Sequence, residues 1–399
     1  MAAGESPLAG LRVLELGSFI AGPFAGQLLA DYGAEVLKIE TPGSGDPMRR
    51  WGVCVDGKSL WWPSIARGKK SVAVDLRRPE GQAIVRRIAE TCDIVLENFR
   101  PGRLESWGLG YEELASANPG LIMVRVSGFG QDGPRASDPG FGSVAEAMGG
   151  LRYTTGFPDR APARAGISLG DSMAAVFAVT GALLALHERS RSGRGQEVDV
   201  ALYEAVFALM ESLLADFELA GHVRKRSGTV LDGVAPSNIY TTADGFGLVI
   251  AANADSIFRR LASATGVLDP ADPRFANHAA RAENMELLDQ ILQKWAANSS
   301  LADITEILTA AQVPFNAVNS APDILADAQF LARGMIERLD AGFAKAVPMA
   351  AVVPRLRRTP GRIRAPGPEL GQDTDATLRE CLAMTDEELS ALRSSGVIA

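Results

Sequence analysis

The chain has 399 residues, of which 47% are hydrophobic and 22% charged, enough apolar content for a large core in two lobes or one elaborated α/β domain. A formal net charge of -8 argues against nucleic acid as a partner, because a phosphate backbone asks for a basic face, but it leaves room for a local basic pocket. Cys54, Cys92 and Cys381 are far apart without a CxxC spacing, and His187, His222 and His278 are scattered, so a reducing cytoplasmic setting is expected, with neither a disulfide framework nor a metal site.

The opening MAAGESPLAG has no basic n-region and no apolar h-region, so no signal peptide is expected. LRVLEL (11–16) reads as a short apolar strand, followed by GSFIAGP, a helix over AGQLLADYG and a second strand EVLKIE (35–40). A strand, a glycine-bearing turn, a helix and a strand within about thirty residues form a βαβ unit, which predicts parallel strands and a right-handed crossover. SVAVDL (71–76), the helix PEGQAIVRRIAETC and DIVLENF (93–99) repeat the pattern, and LIMVRVSGFG (121–130) adds a further strand. The first half therefore predicts an α/β fold, an open doubly wound Rossmann-like parallel sheet with helices on both faces.

After Gly130 the loop-rich QDGPRASDPGFG leads to a helix opened by LGD, with Asp171 at its start. The greasiest run in that helix, MAAVFAVTGALLAL, is too short to span a bilayer, so no membrane contact is expected. QEVDVALYEA resembles one more strand leading into a helix. From Val223 the texture changes: APSNIYTTADGFGLVIAAN predicts a hairpin with an Asp-Gly turn, and helices follow. The predicted organisation is a large domain over 1–222, a small α+β domain over 223–325, and an extended return segment with a C-terminal helix over 326–399 that packs on the large domain. In that last helix Thr385 and Glu388 have the spacing of a capping box.

Two familiar motifs do not survive their context. GVCVDGKS (52–59) matches the phosphate-loop pattern letter for letter, but no strand precedes it and Pro63 lies where the helix should start. Gly17, Gly22 and Gly26 in the first βα turn are spaced G-x4-G-x3-G, which is no nest for a dinucleotide pyrophosphate even with Glu40 in the place of a ribose-binding acid. Basic residues recur after the strands, at Arg49-Arg50, Lys69-Lys70, Arg77-Arg78, Arg100 and Arg103; they are solvated surface charge or, collected at one sheet edge, a phosphate-binding set. Asp171 likewise reads two ways, as a helix cap and as a carboxylate nucleophile, and the two are compatible.

Taken together, LRVLELGSFIAGPFAGQLLADYGAEVLKIETPGSGD, VAVDLRRPEG, VLENFRPGRLESWGLGYEEL, the GFGQDGP loop, LGD, GRGQEVDVALYEA and LSALRSSGVI, in that order, resemble the family III CoA-transferases. The resemblance implies that Asp171 is the nucleophile, passing through an aspartyl mixed anhydride and an aspartyl-CoA thioester. It implies that Ser18, Phe19, Ile20, Ala21, Arg77, Asn98, Phe99 and Arg103 hold CoA, that the CoA thioester is a substrate with no tightly bound cofactor, and that two chains interlock as a homodimer. The stretch VIAANADSIF has no glycine run, and Ile20 stands where formyl-CoA transferases have Gln, which departs from formyl and oxalate specificity. Phe141 stands where the related α-methylacyl-CoA racemases carry His; phenylalanine cannot carry a proton, which disfavours the alternative acid/base C–H chemistry. Arg49, Arg50 and Arg164, with Phe141, are candidate substrate residues. They point to succinyl-CoA as donor and to a small acid acceptor with a second anionic group, such as a dicarboxylate.

Overall fold

The computed structural model describes residues 6–399, which leaves the first five residues of MAAGESPLAG outside the described chain. Two compact units divide it. The first takes residues up to Leu151, then Ala165–Glu211 and Gln329–Ala399; the second takes Arg152–Arg164 and Ser212–Ala328. The second unit thus starts before Val223 and includes the helix Leu213–Ala220. The shift in composition at Val223 marks the end of an apolar helix rather than a change of core.

The first unit is built on six parallel strands, β1 (Arg12–Glu15), β2 (Glu35–Glu40), β5 (Lys69–Ala73), β6 (Ile94–Glu97), β7 (Ile122–Ser127) and β8 (Glu197–Ala201), in the order β5-β2-β1-β6-β7-β8. Counted within this sheet alone the order is 3-2-1-4-5-6, the doubly wound arrangement, whose switch point lies between β1 and β6. Successive residues face opposite sides: Val13, Val36, Ile94 and Val124 enter one core, while Leu14, Leu37, Val95 and Met123 enter the other. The helix Pro79–Ala89 has Pro at its first position, Glu80 in its first turn and Arg86-Arg87 in its last, which suits the backbone dipole at both ends.

β5 starts two residues earlier than SVAVDL suggests, and the end of that stretch is used differently. Val74 bridges Ile398, Asp75 N–H donates to Val397, and Ser71 N–H and Ala73 N–H donate to the Asp373 and Thr374 side chains. The last segment of the chain therefore seals the outer edge of the sheet. The capping box at Thr385 and Glu388 forms as expected.

GVCVDGKS is a β-hairpin, β3 (Cys54–Val55) paired antiparallel with β4 (Lys58–Ser59), and Asp56 and Gly57 at its tip have φ of 50° and 75°. Two successive left-handed residues make a tight hairpin turn, so the letters of a phosphate loop are spent on a turn.

The helix carrying Asp171 spans Leu169–Ser192, 24 residues, and is long and apolar enough to cross a membrane. The helix extends beyond the apolar run at both ends, and the core helix of a soluble protein meets the same criterion of length and composition. Ala174, Ala175, Ala178, Ala182 and Ala185 are buried in the core of the first unit, where small side chains allow close approach. Its other face leaves Val176, Leu183 and Leu184 exposed.

The second unit pairs β9 (Ser237–Thr241), β10 (Gly247–Ala251) and β11 (Phe315–Ala317) antiparallel, β9 and β10 joined through Asp244-Gly245 as a hairpin. Helices Asp255–Thr265, Met285–Ala296 and Leu301–Ala310 cover the sheet through Phe258, Leu261, Leu288, Leu292, Ile304 and Leu308. Beyond this unit the chain forms one further hairpin, β12 (Ile336–Leu339) with β13 (Val347–Ala350).

Candidate active site

Ligands in open α/β sheets bind at the carboxyl ends of the strands where the order reverses, and a cavity of about 340 Å³ opens there. Its walls are the turn Ser18–Ala21 after β1, Asn98–Pro101 after β6, Val126–Gly128 at the end of β7, the loop Asp138–Phe141, and Asp171. A second cavity of about 220 Å³ lies beyond, between the ends of β2 and β5, lined by Thr41, Asp46, Asp75, Arg77 and Trp107 among others. Ser18 and Phe99 line both.

The turn after β1 is held on two sides. Asn98 accepts from Ser18 N–H at 2.9 Å through Oδ1 and donates to Ser18 O at 2.8 Å through Nδ2. Phe19 has a φ of +66°, a left-handed conformation that a bulky side chain rarely adopts and that surrounding contacts must impose. Its N–H donates to Asp46 Oδ1 at 3.3 Å, and Asp46 Oδ2 pairs with Lys38 Nζ at 2.8 Å. Lys38 also pairs with Glu15 at 2.9 Å and donates to Gly17 O at 2.9 Å; Lys69 completes the group at 2.7 Å from Glu15. These side chains are buried. Burial alone would lower the Lys38 pKa, but Glu15, Asp46 and Glu40 hold it above the usual lysine value, whereas burial pulls Lys69 down to about 8 against Glu15. The strained turn therefore rests on a buried ion cluster that would be expensive to break.

Asp171 lies in the first turn of its helix, and the N-cap position belongs to Ser168, whose side chain makes no cap bond. The reading of Asp171 as a cap is corrected accordingly: the carboxylate projects from the third helical residue and is half-buried on the cavity wall. A Cβ on Gly142 would stand 2.3 Å from Asp171 Oδ2, so only glycine fits beneath the carboxylate. Buried Glu146, one turn further along the helix that Gly142 starts, accepts from Gly170 N–H at 3.2 Å and supplies a bond at the start of the Asp171 helix. The loop opposite is pinned in a similar way, since a Cβ on Gly128 or Gly140 would come within 2.8 Å of the other's Cα.

Of the residues singled out from the sequence, Ser18, Phe19, Ile20, Ala21, Asn98, Phe99, Phe141 and Asp171 line the larger cavity and Arg77 the smaller. Phe141 is 63% exposed and meets Phe19 edge to face at 6.2 Å, and Phe19 meets Trp51 in the same way. Arg103 is exposed and stands over the Trp107 ring, outside both linings. Arg49 is committed elsewhere: it grips Glu40 with two nitrogens at 2.6 and 2.7 Å and stacks on Trp62. That pairing neutralises Glu40, which lines the second cavity. Arg50 is exposed and donates to Ser44 O, and Arg164 is an exposed residue of the second unit. Asp46, Asp138, Gly142 and Glu146 belong to the site or its supports and were not foreseen. Only the GSGD turn and the GFG triplet hint at two of them, and neither hint says what the residue touches.

The family model for CoA-transferase family III matches residues 8–374. A succinyl-CoA–D-citramalate CoA-transferase of Chloroflexus aurantiacus is 54% identical over 98% of each chain. The alpha subunit of a succinyl-CoA–L-malate CoA-transferase from the same species is 40% identical over 99% of this chain and 93% of that one. A crystal structure of a CAIB/BAIF family protein from Brucella suis superimposes with a TM-score of 0.84 at 33% identity, over 95% of this chain and all of that one. With its motifs in order, its cavity at the switch point and these matches running nearly end to end, the chain belongs to CoA-transferase family III.

Proposed function

We propose that this enzyme moves CoA from succinyl-CoA to a dicarboxylate, with Asp171 as the covalent relay. The observation that carries the reading is the placement of the half-buried Asp171 carboxylate on the wall of the switch-point cavity, which the clamped Ser18–Ala21 turn also lines. An ionised aspartate needs no general base to attack a thioester, which suits a cavity whose described lining contains no histidine. Asp171 attacks the succinyl thioester carbonyl, forming a succinyl–aspartyl anhydride and releasing CoA thiolate. The thiolate attacks the aspartyl carbonyl, giving an aspartyl-CoA thioester and free succinate. The acceptor carboxylate displaces CoA from aspartate to form a second anhydride, and the thiolate takes the acceptor's acyl group and regenerates Asp171. Each step exchanges one acyl bond for another, so no redox partner or water is consumed.

Negative charge develops on carbonyl oxygen in every attack, and preorganised N–H groups are the economical way to meet it. Ala21, the first residue of the helix Ala21–Asp31, lines the same cavity, and its N–H has no partner within its own helix, which supports that role. The nucleotide end of CoA fits the second cavity, with Phe99 and Trp107 as apolar walls and Arg77 at its edge. The relatives named for D-citramalate and L-malate transfer support succinyl-CoA as donor and a dicarboxylate as acceptor. The exposed outer face of the Asp171 helix supports burial against a second copy in an interlocked homodimer.

The test is to incubate the protein with succinyl-CoA, add hydroxylamine and digest. A mass change on the peptide carrying Asp171 is the expected result. An unmodified Asp171 with solvent deuterium entering the succinyl α-carbon would overturn the relay in favour of acid/base chemistry.

A further inference from the structure

One buried guanidinium closes the loop that walls both cavities. Between β6 and the short 3-10 helix Glu105–Trp107 the chain carries Asn98, which clamps the Ser18 turn, and Phe99, which lines the two cavities alike. Trp107, at the end of that short helix, lines the second cavity. Arg125 stands opposite Glu97 in the register of β6 and β7 and is buried. Its Nε donates to Glu97 Oε1 at 2.8 Å, where the loop begins, and its Nη1 and Nη2 donate to the two oxygens of Glu105 at 2.7 and 3.3 Å, where the loop ends. The other oxygen of Glu97 accepts from Phe99 N–H at 2.7 Å. Phe99 and Trp107 meet edge to face, with ring centroids 5.4 Å apart. Leu104 anchors the middle of the loop in the core, and Arg125 ties its two ends together.

A third acid, Glu197 on β8, lies 3.3 Å from Arg125 Nη1 and belongs to the sheet rather than to the loop. A cation facing three acids stabilises less than a matched pair, since the acids repel one another. What the guanidinium supplies is geometry: its planar fork holds two carboxylates at fixed angles, which a lysine cannot do. We propose that Arg125 is a positioning residue for CoA, clipping Glu97 to Glu105 so that Phe99 and Trp107 form a ready-made wall for the nucleotide end. The inference rests on the proposed placement of that end in the second cavity. Without the clip the two rings lose their common position and CoA has to order them as it binds, a cost that appears in affinity and not in the acyl exchange at Asp171.

The experiment measures CoA binding by calorimetry, and KM for succinyl-CoA with kcat in transfer to L-malate, at about pH 8, where the Glu97 carboxyl, with its value of about 7, is ionised. Glu105→Ala opens one arm of the clip at a half-exposed acid and weakens CoA binding roughly 3- to 10-fold. Arg125→Met opens both arms and weakens it roughly 10- to 100-fold, with KM rising in step and kcat at saturating donor held within about threefold. Arg125→Lys keeps the charge without the fork and falls between Arg125→Met and the wild type. Glu105→Ala and Arg125→Lys carry the test if Arg125→Met does not fold. Glu197→Ala removes a similarly exposed acid from the same guanidinium and leaves CoA binding unchanged. With succinyl-pantetheine as donor, which has no nucleotide, the Glu105→Ala penalty disappears. Wild-type affinity in both Glu105→Ala and Arg125→Lys, an equal loss in Glu197→Ala, or a fall in kcat with KM unchanged overturns the inference. A penalty that persists with succinyl-pantetheine overturns the placement of the nucleotide end and the inference with it. A protein that shows the expected pattern in calorimetry but passes CoA to no dicarboxylate removes the proposed transfer and leaves the clip standing.

Discussion

The two walls of the cavity beside Asp171 are built by opposite means. The Ser18–Ala21 turn is backed by buried charge, with Asp46, Lys38, Glu15 and Lys69 paired beneath it and the Asn98 amide across it. The Asp138–Phe141 loop is set by missing side chains, at Gly128, Gly140 and Gly142, and by one half-exposed ion pair. The first wall is costly to alter and suits a step common to every turnover, the handling of a thioester. The second can be re-cut by one surface substitution and suits the group that varies between relatives, the acceptor. Rigidity here follows the generality of the chemistry.

The largest expected effect removes what both walls serve: Asp171→Asn lowers kcat/KM for CoA transfer by about 10⁴-fold or more in a succinyl-CoA transfer assay, with the melting temperature little changed. Gly142→Ala attacks the loop side. Its methyl group displaces the carboxylate, and a misplacement near 1 Å costs about 100-fold in kcat. KM for succinyl-CoA should move far less, because the second cavity, proposed for the nucleotide end of CoA, is untouched. Asp46→Ala attacks the other wall and leaves Lys38 short of a buried partner, so stability falls by about 3 kcal/mol in urea unfolding and activity falls with it. An Asp46→Ala enzyme of wild-type stability would dissolve the contrast between the walls.

The smallest effect concerns Glu97, beneath Phe99, which accepts from Phe99 N–H and pairs with Arg125. Burial raises its carboxyl from an ordinary 4.5 to about 7, with Arg125 opposing. The folded chain therefore holds a proton that the unfolded chain releases, and stability favoured by that proton is full below pH 4.5 and lost as the pH rises through 7. Urea midpoints measured at pH 5 and pH 8 should drop for the wild type by more than for Glu97→Gln.

Much of this was legible in the sequence where the signal is local. Alternating apolar runs mark the strands of the large sheet and an acid at the head of an alanine-rich helix marks Asp171, whereas Ser18–Ala21 is reached through the resemblance to the family and not from the residues themselves. What stayed hidden depends on partners far along the chain. Arg49 looked available for a substrate until Glu40 and Trp62 were seen to hold it. Asp46 draws no reading from the sequence, because its role lies in the distant Lys38 and Phe19 N–H that it joins. Gly142 carries no chemistry of its own, and its meaning is a distance to Asp171 that no spacing rule encodes. The hairpin Cys54–Ser59 is the reverse case, a strong local signal emptied by its setting.

The segment that seals β5 has a consequence in time. Ser71 is 302 residues from the Asp373 side chain it bonds, so during synthesis the outer edge of this sheet stands open while the intervening chain is made. At about 5–20 residues per second that interval is roughly 15 to 60 s. Throughout it the nascent sheet presents unpaired N–H and C=O groups along one side, the surface on which chains stick to one another. The enzyme's yield in a cell is then set by what shields an unfinished edge, and slower synthesis or higher temperature should shift newly made chains towards aggregation before any finished molecule loses activity.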